Sequence, residues 1–168
     1  TTLFRSASSG TDEASVGSSA DYKSMLDWLQ NNDLKSDANY KKVADQVDVD
    51  NYMNYMQAEM FLNNSDWPHN NMKKWRVASQ KTKWKWFMYD TDFGFGVSYN
   101  TQNGNVFSYV TNANGTSGMG MGFGGFGGMG GMCGQQQATG GSISAHTILM
   151  IRLLENESFK NAFINRFS

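Results

Sequence analysis

The chain has 168 residues, enough for one compact domain with a moderate core and too few for two full lobes. Fourteen Lys and Arg stand against fifteen Asp and Glu, so no net field directs the molecule to nucleic acid or to an anionic membrane. One cysteine, Cys133, excludes an internal disulfide framework, two histidines leave little for a structural zinc site, and the single proline, Pro68, excludes a proline-rich linker.

Residues 1–5, Thr-Thr-Leu-Phe-Arg, carry no initiator Met and no apolar leader, which fits a segment of a longer protein. Residues 6–19 are small and polar and predict a loop. Ser19 then stands as a cap for a helix over 20–31, whose Tyr22, Met25, Leu26 and Leu29 fall at i, i+3, i+4 and i+7 on one face. A weaker helical stretch follows at 37–46, with Tyr40, Val43 and Ala44 apolar. Asp50 is the expected cap of a third helix, 51–62, with Tyr52, Met56 and Met60 on one side. Pro68 disfavours helical geometry at Trp67, so a loop begins at Asn63. Two strand-like runs come next, Met72–Ser79 and Lys83–Tyr89, joined by a polar turn at Gln80–Thr82. Trp84, Trp86 and Met88 alternate with Lys83, Lys85 and Phe87, the period of a half-buried strand. The second strand is expected to run directly into Asp90-Thr91-Asp92-Phe93-Gly94-Phe95-Gly96.

Between Asp92 and Arg152 there is no charged side chain, yet the gap is filled by Gly, Asn, Ser, Thr and Gln rather than by about 18 apolar residues, so it is no membrane helix. Residues 97–114 read as irregular. In 115–134, Gly and Met fill fifteen of twenty positions with no Gly-X-Y period; ordering that much glycine is entropically costly, which predicts a disordered insertion. Ser144 is the expected cap of a helix through Leu154, and a last helix carries Phe159, Phe163, Ile164 and Phe167. The fold class expected is α+β, helices flanking a β-hairpin.

Residues 59–96 hold the chemistry. Asp66 lies on a loop, with carboxamides Asn70 and Asn71 four and five residues on. Asp90 and Asp92 follow the hairpin, and Phe93-Gly94 follows Asp92. Transfer of a phosphoryl group from a nucleotide needs a divalent metal held by oxygen ligands and a carboxylate near the acceptor hydroxyl. In protein kinases the base Asp precedes a metal-binding Asn by five residues, and a second metal-binding Asp heads an Asp-Phe-Gly after a strand. Asp66 to Asn71 has that spacing, Asp92-Phe93-Gly94 is that tripeptide, and a hairpin between them can bring both ends to one edge. Asp90, two residues before Asp92 on an extended strand, is expected to share its face. Each piece alone is weak; their order is informative.

Three stretches carry a family resemblance: Asn64-Ser65-Asp66-Trp67-Pro68-His69-Asn70-Asn71, then Lys74-Trp75-Arg76, then Trp84 through Gly96. With Asp50-Asn51-Tyr52 before them and Leu153 through Lys160 after them, they resemble the spore coat protein H (CotH) kinase family. The resemblance implies an atypical protein kinase that uses ATP with Mg2+ or Mn2+ to phosphorylate Ser or Thr of secreted or coat proteins, at an extracellular, cell-surface or spore-coat location. It implies Asp66 as catalytic carboxylate, Asn71 and Asp92 as metal ligands, and Asp90 as a further ligand or a residue that orients the loop. Asn70 is an alternative to Asn71, and Asn70, Asp92 and Gly94 fall at the nucleotide site. Leu3-Phe4-Arg5 resembles the end of the nucleotide-binding lobe. Residues 1–20 offer neither a strand-borne Lys nor a glycine loop to cover phosphates, so the whole chain, 1–168, corresponds mainly to the catalytic C-terminal lobe, inactive by itself if the other lobe is needed.

The competing class is a non-catalytic surface, spore-coat or adhesion module. Lys73, Lys74, Arg76, Lys81, Lys83 and Lys85 interleave with Trp75, Trp84 and Trp86, a composition that suits sugar or single-strand binding when exposed. Strand alternation instead buries the indoles and leaves the lysines in water, and with it nucleic acid is not an expected partner.

Overall fold

The computed structural model describes residues 2–6, 12–64, 67–68, 71–95, 106–111 and 145–167. In chain order these form β1 (Thr2–Ser6), β2 (Asp12–Val16), α1 (Ala20–Gln30), α2 (Asp37–Ala44), α3 (Val49–Leu62), β3 (Lys73–Arg76), a 3-10 turn (Ala78–Gln80), β4 (Lys85–Phe87), α4 (Val106–Thr111), α5 (Ile148–Leu153) and α6 (Glu157–Phe167). The class is α+β, as expected, but the sheet is larger than a hairpin. Four antiparallel strands run in the order β2-β1-β3-β4, with Leu3 opposite Trp75 and Lys74 opposite Trp86.

The polar start expected as loop therefore contains β2, and β1 lies inside the sheet between β2 and β3. Composition hid this because strand pairing is a property of the partner as much as of the segment. The strands of the expected hairpin are also shorter, since the 3-10 turn takes up Ala78–Gln80 and β4 ends at Phe87.

α1 buries Tyr22, Met25, Leu26 and Leu29, the face that the periodicity marks. Its Ser19 makes no side-chain cap; the Ser18 hydroxyl accepts the Ala20 N–H instead, at 3.2 Å. α2 is capped by Ser36, whose hydroxyl accepts the Asn39 N–H, and it buries Val43. α3 starts before its expected bound: Asp48, not Asp50, is the cap, accepting the Asn51 N–H at 3.1 Å. Asp50 lies in the first turn, where it holds Arg166 of α6 at 2.8 Å.

The core forms where α1, α3, α5 and α6 meet the sheet and one another. Trp84 and Trp86 face inward; Tyr22 meets Trp84 edge-on at 5.4 Å and Tyr52 tilts over Trp86 at 4.6 Å. Fully burying such side chains contributes roughly 1.5–3 kcal/mol each. The alternation thus holds at Trp84 and Trp86 but fails at Met88, which is exposed, and inverts on β3. There Lys74 is buried with its ammonium 4.1 Å above the Tyr22 ring, while Trp75 is only half-buried. Register explains the inversion, because Lys74 stands opposite Trp86 on the inward face of the sheet.

α4 occupies part of the stretch expected to be irregular and buries Val106 and Val110. α5 begins at Ile148, and the expected cap Ser144 lies outside the described residues, as does the Gly/Met-rich stretch 115–134. α6 buries Phe159 and Phe163 but leaves Ile164 and Phe167 exposed. Its entry is set by Asn156, whose side-chain Oδ1 accepts the Phe159 N–H while its Nδ2 donates to the Leu34 carbonyl.

Candidate functional site

α3 organises the region around the acidic loops. Its first turn is fastened to β4. The Asp48 N–H donates to the Trp84 carbonyl at 2.9 Å, and the Trp84 N–H to the Gln46 carbonyl at 2.8 Å. Asn51 does the same for the next outward-facing peptide. Its Oδ1 accepts the Trp86 N–H at 2.6 Å and its Nδ2 donates to the Trp86 carbonyl at 3.0 Å. β4 is the sheet's last strand, so these contacts satisfy peptide groups that no further strand reaches.

The last turn of α3 carries the two loops. Asn63 ends the helix in the left-handed region, φ 50°. The neighbouring Asn64 is fully buried. Its Nδ2 donates to Glu59 Oε2 at 3.2 Å and to the Asp90 carbonyl at 3.4 Å. Trp67, also fully buried, donates its backbone N–H to the Asn64 carbonyl at 3.3 Å and its indole N–H to the Tyr55 hydroxyl at 2.7 Å. The Tyr55 hydroxyl in turn hydrogen-bonds the Glu59 carboxylate. On the other side, the Phe95 N–H donates to the Leu62 carbonyl at 2.6 Å, and the Gly94 N–H closes a turn onto the Thr91 carbonyl at 3.0 Å.

Gly94 is there for space. A Cβ on it stands 3.0 Å from the Thr91 carbonyl oxygen and 3.3 Å from that of Leu62, both backbone atoms. The chain of contacts therefore runs from Trp67 through Tyr55, Glu59 and Asn64 to Asp90, and closes through Leu62 and Phe95.

Glu59 is the one acidic side chain in the core among the described residues. Burial pushes its carboxyl up to about 7, against the partial offset of the Asn64 and Tyr55 hydrogen bonds. Burial, then the Glu59 charge, drives the Tyr55 phenol well above its ordinary value, so it stays a donor. The sequence assigned no role to Glu59, Asn51 or Tyr55, although Asn51 and Tyr55 lie in the stretch from Asp50 to Tyr55 that shares in the family resemblance. A signal for Glu59 was present: it stands at i+7 from Tyr52 and i+3 from Met56, a carboxylate on an apolar helical stripe.

Of the expected site residues, Asp66 and Asn70 lie outside the described residues, as do His69 and Gly96. Asn71 is nearly buried and Asp90 is exposed, and both adopt left-handed backbone, φ 60° and φ 57°. Asn and Asp tolerate that region better than other side chains, and a run of such residues beside a loop marks a locally determined backbone. Asp90 thus leaves the extended strand, which ended at Phe87, and shares no strand face with Asp92. Asp92 is exposed within the turn that Gly94 closes. Phe95, left-handed as well at φ 54°, packs its exposed ring edge-on against Phe61 at 6.0 Å.

Asp90, Asp92 and Asn71 offer hard oxygen donors, the set that suits Mg2+ or Mn2+ and not a soft metal. Among the described residues no group of three or more His, Cys, Asp or Glu side chains gathers; this set counts two carboxylates and an amide. A surface cleft of about 370 Å3 lies elsewhere, against Trp28, Lys42 and Arg76, and none of its lining residues belongs to the site set. Its two cations are engaged already: Lys42 lies over the Trp28 ring and Arg76 over the Trp84 ring, with Arg76 also paired to Asp21. With Trp84 and Trp86 in the core, the hairpin presents no indole platform built from them. No helix among the described residues is long and apolar enough to cross a membrane.

No curated protein and no solved structure matches this chain. A family model does, that of the CotH kinase protein, and it aligns with residues 5–168. That span takes in β3, β4, the Asp66 to Asn71 loop and the Asp90 to Gly94 turn together, and the chain belongs to the CotH kinase family.

Proposed function

We propose that the protein transfers the γ-phosphoryl group of ATP to a Ser or Thr hydroxyl of a protein, with a kinase-like catalytic lobe formed by this chain. The observation that carries the reading is the family match over nearly the whole chain, joined to two acidic loops that are tied to one helix end. Asp66 accepts the proton of the acceptor hydroxyl as its oxygen bonds to phosphorus. The bond from phosphorus to the bridging oxygen breaks, and ADP leaves. Asp92 and Asn71, with Asp90 or Asn70 beside them, would hold Mg2+ or Mn2+, which when bound neutralises charge on the phosphate oxygens. Gly94 keeps the backbone next to Asp92 low enough to lie against the end of α3 and leaves that loop no side chain to crowd a nucleotide. The protein substrates are read as secreted or coat proteins, with a coat or surface location, on family grounds alone.

The binding-module reading that relied on the hairpin's tryptophans loses its surface with Trp84 and Trp86 buried. The test is transfer of radiolabel from ATP by the full-length protein with Mg2+ or Mn2+, beside D92A. Loss of a metal ligand is expected to lower transfer by at least about 100-fold, consistent with several kcal/mol of charge stabilisation. Equal incorporation by both proteins sinks the site assignment, and none by the parent sinks the kinase reading.

A further inference from the structure

We propose that Glu59 is a positioning residue, which fixes through Asn64 the separation between the loop that carries Asp66 and the loop that carries Asp92; the functional part of this rests on the kinase reading above. A carboxylate in the core is costly, and a Leu or Met of similar volume would fill the same space at less expense. What an apolar side chain cannot do is hold Asn64. That carboxamide spends its donors in two directions, to Glu59 Oε2 at 3.2 Å and to the Asp90 carbonyl at 3.4 Å. Asn64 is two residues from Asp66, and Asp90 is two residues from Asp92, so the Glu59–Asn64 pair touches the root of each acidic loop.

The same carboxylate reaches the far side of the first loop through Tyr55 and the Trp67 indole. Asp66 is thereby bracketed in sequence by two fully buried residues, Asn64 and Trp67, that both refer back to Glu59. The second loop meets the same helix again where the Phe95 N–H donates to the Leu62 carbonyl at 2.6 Å, so this amide reports how closely the loop lies against α3. α3 therefore acts as a ruler between the loops. Glu59 Oε1 has no hydrogen-bond partner among the described residues, so the carboxylate reaches Asn64 through Oε2 alone.

The test compares the full-length parent with E59Q, E59L and N64S. The Gln amide oxygen still accepts from Asn64, whereas Leu matches the volume and accepts nothing. In N64S both donated bonds go while Glu59 and its helix stay intact, so this variant carries the test if E59L does not fold. Two readouts are taken: amide exchange at Gly94 and Phe95, and the kcat and ATP KM of transfer. Loss of the Asn64 tie predicts exchange at Phe95 faster by at least about tenfold in E59L and N64S, with α1 and α6 unchanged. Transfer falls by a similar factor in kcat, and E59Q restores both.

A merely structural role accelerates exchange in α1 and α6 as much as at Phe95 and is not rescued by Gln; that result overturns the proposal. So does parent-like exchange at Phe95 in E59L and N64S. A parent that transfers no phosphate removes the kinase reading and the functional half of the proposal, while the Phe95 exchange still decides whether Glu59 ties the loops.

Discussion

Replacing Asn51 by Ala isolates the fastening of α3 to the sheet edge. The side chain makes two hydrogen bonds to one peptide, accepting from the Trp86 N–H at 2.6 Å and donating to the Trp86 carbonyl at 3.0 Å. The N-terminal cap is untouched, since Asp48 accepts from the Asn51 backbone N–H, which Ala keeps. An orphaned buried donor or acceptor costs about 1–3 kcal/mol, and here both sit partly buried, so the lower half of that range applies to each. Against the resulting loss of about 3 kcal/mol stands the better helix propensity of Ala, about 0.5 kcal/mol. The net expectation is a loss of about 2.5 kcal/mol, or a Tm lower by roughly 5–10 °C for a chain of this size. Urea unfolding followed by tryptophan fluorescence measures it, and N51D serves as a second arm. Asp keeps the acceptor but turns an oxygen toward the Trp86 carbonyl, so it is expected to cost no less than Ala. An Ala variant within about 0.5 kcal/mol of the parent refutes the fastening.

Gly94→Ala forces a Cβ to within 3.0 Å of a backbone oxygen, so either the turn or the end of α3 must shift. A stability loss of about 1–3 kcal/mol is expected, with faster exchange at the Phe95 amide, and unchanged exchange there contradicts the packing argument. Glu59 predicts a pH dependence. Its carboxyl titrates near 7 when folded against an ordinary value of 4.5, so between those values the folded chain holds the extra proton. Stability is therefore undiminished below about pH 4.5 and is lost as pH rises through 7, by about 3 kcal/mol in all. Urea titrations from pH 5 to 8 should show this fall in the parent and a flatter profile in E59Q; equal slopes in the two proteins overturn the assignment.

Helices α1, α2, α3 and α6 were legible because each carries its own apolar period, so local pattern and packed face agree, whereas neither Ser19 nor Asp50 makes the cap expected of it. The exact cap was less so: Asp48 and Asp50 are chemically equal candidates, and only the Asp48 hydrogen bond decides between them. β2 was not legible because its small and polar residues show no apolar alternation, and β1 because its pairing with β3 joins segments far apart in the chain. Lys74 shows the same limit from the other side. Strand alternation fixes that neighbours face opposite ways, but which set faces inward is decided by the partner strand and by Tyr22. The acidic loops were legible by spacing, whereas the side chains that tie them together were not. Glu59 stood out only as a carboxylate on an apolar stripe, and its ties to Asn64 and Tyr55 are contacts that no residue type announces in advance.

The place of β1 in the sheet has a consequence for synthesis. Its two neighbours reach it at very different times: β2 follows within a few residues, while Trp75, the partner of Leu3, leaves the ribosome some seventy residues later. At about 5–20 residues per second that is roughly 4–14 s during which the β1–β2 pair lacks its β3 partner. A nascent chain in that interval offers an open strand edge to any other chain nearby, and the closing of the sheet waits on β3 rather than on the helices between.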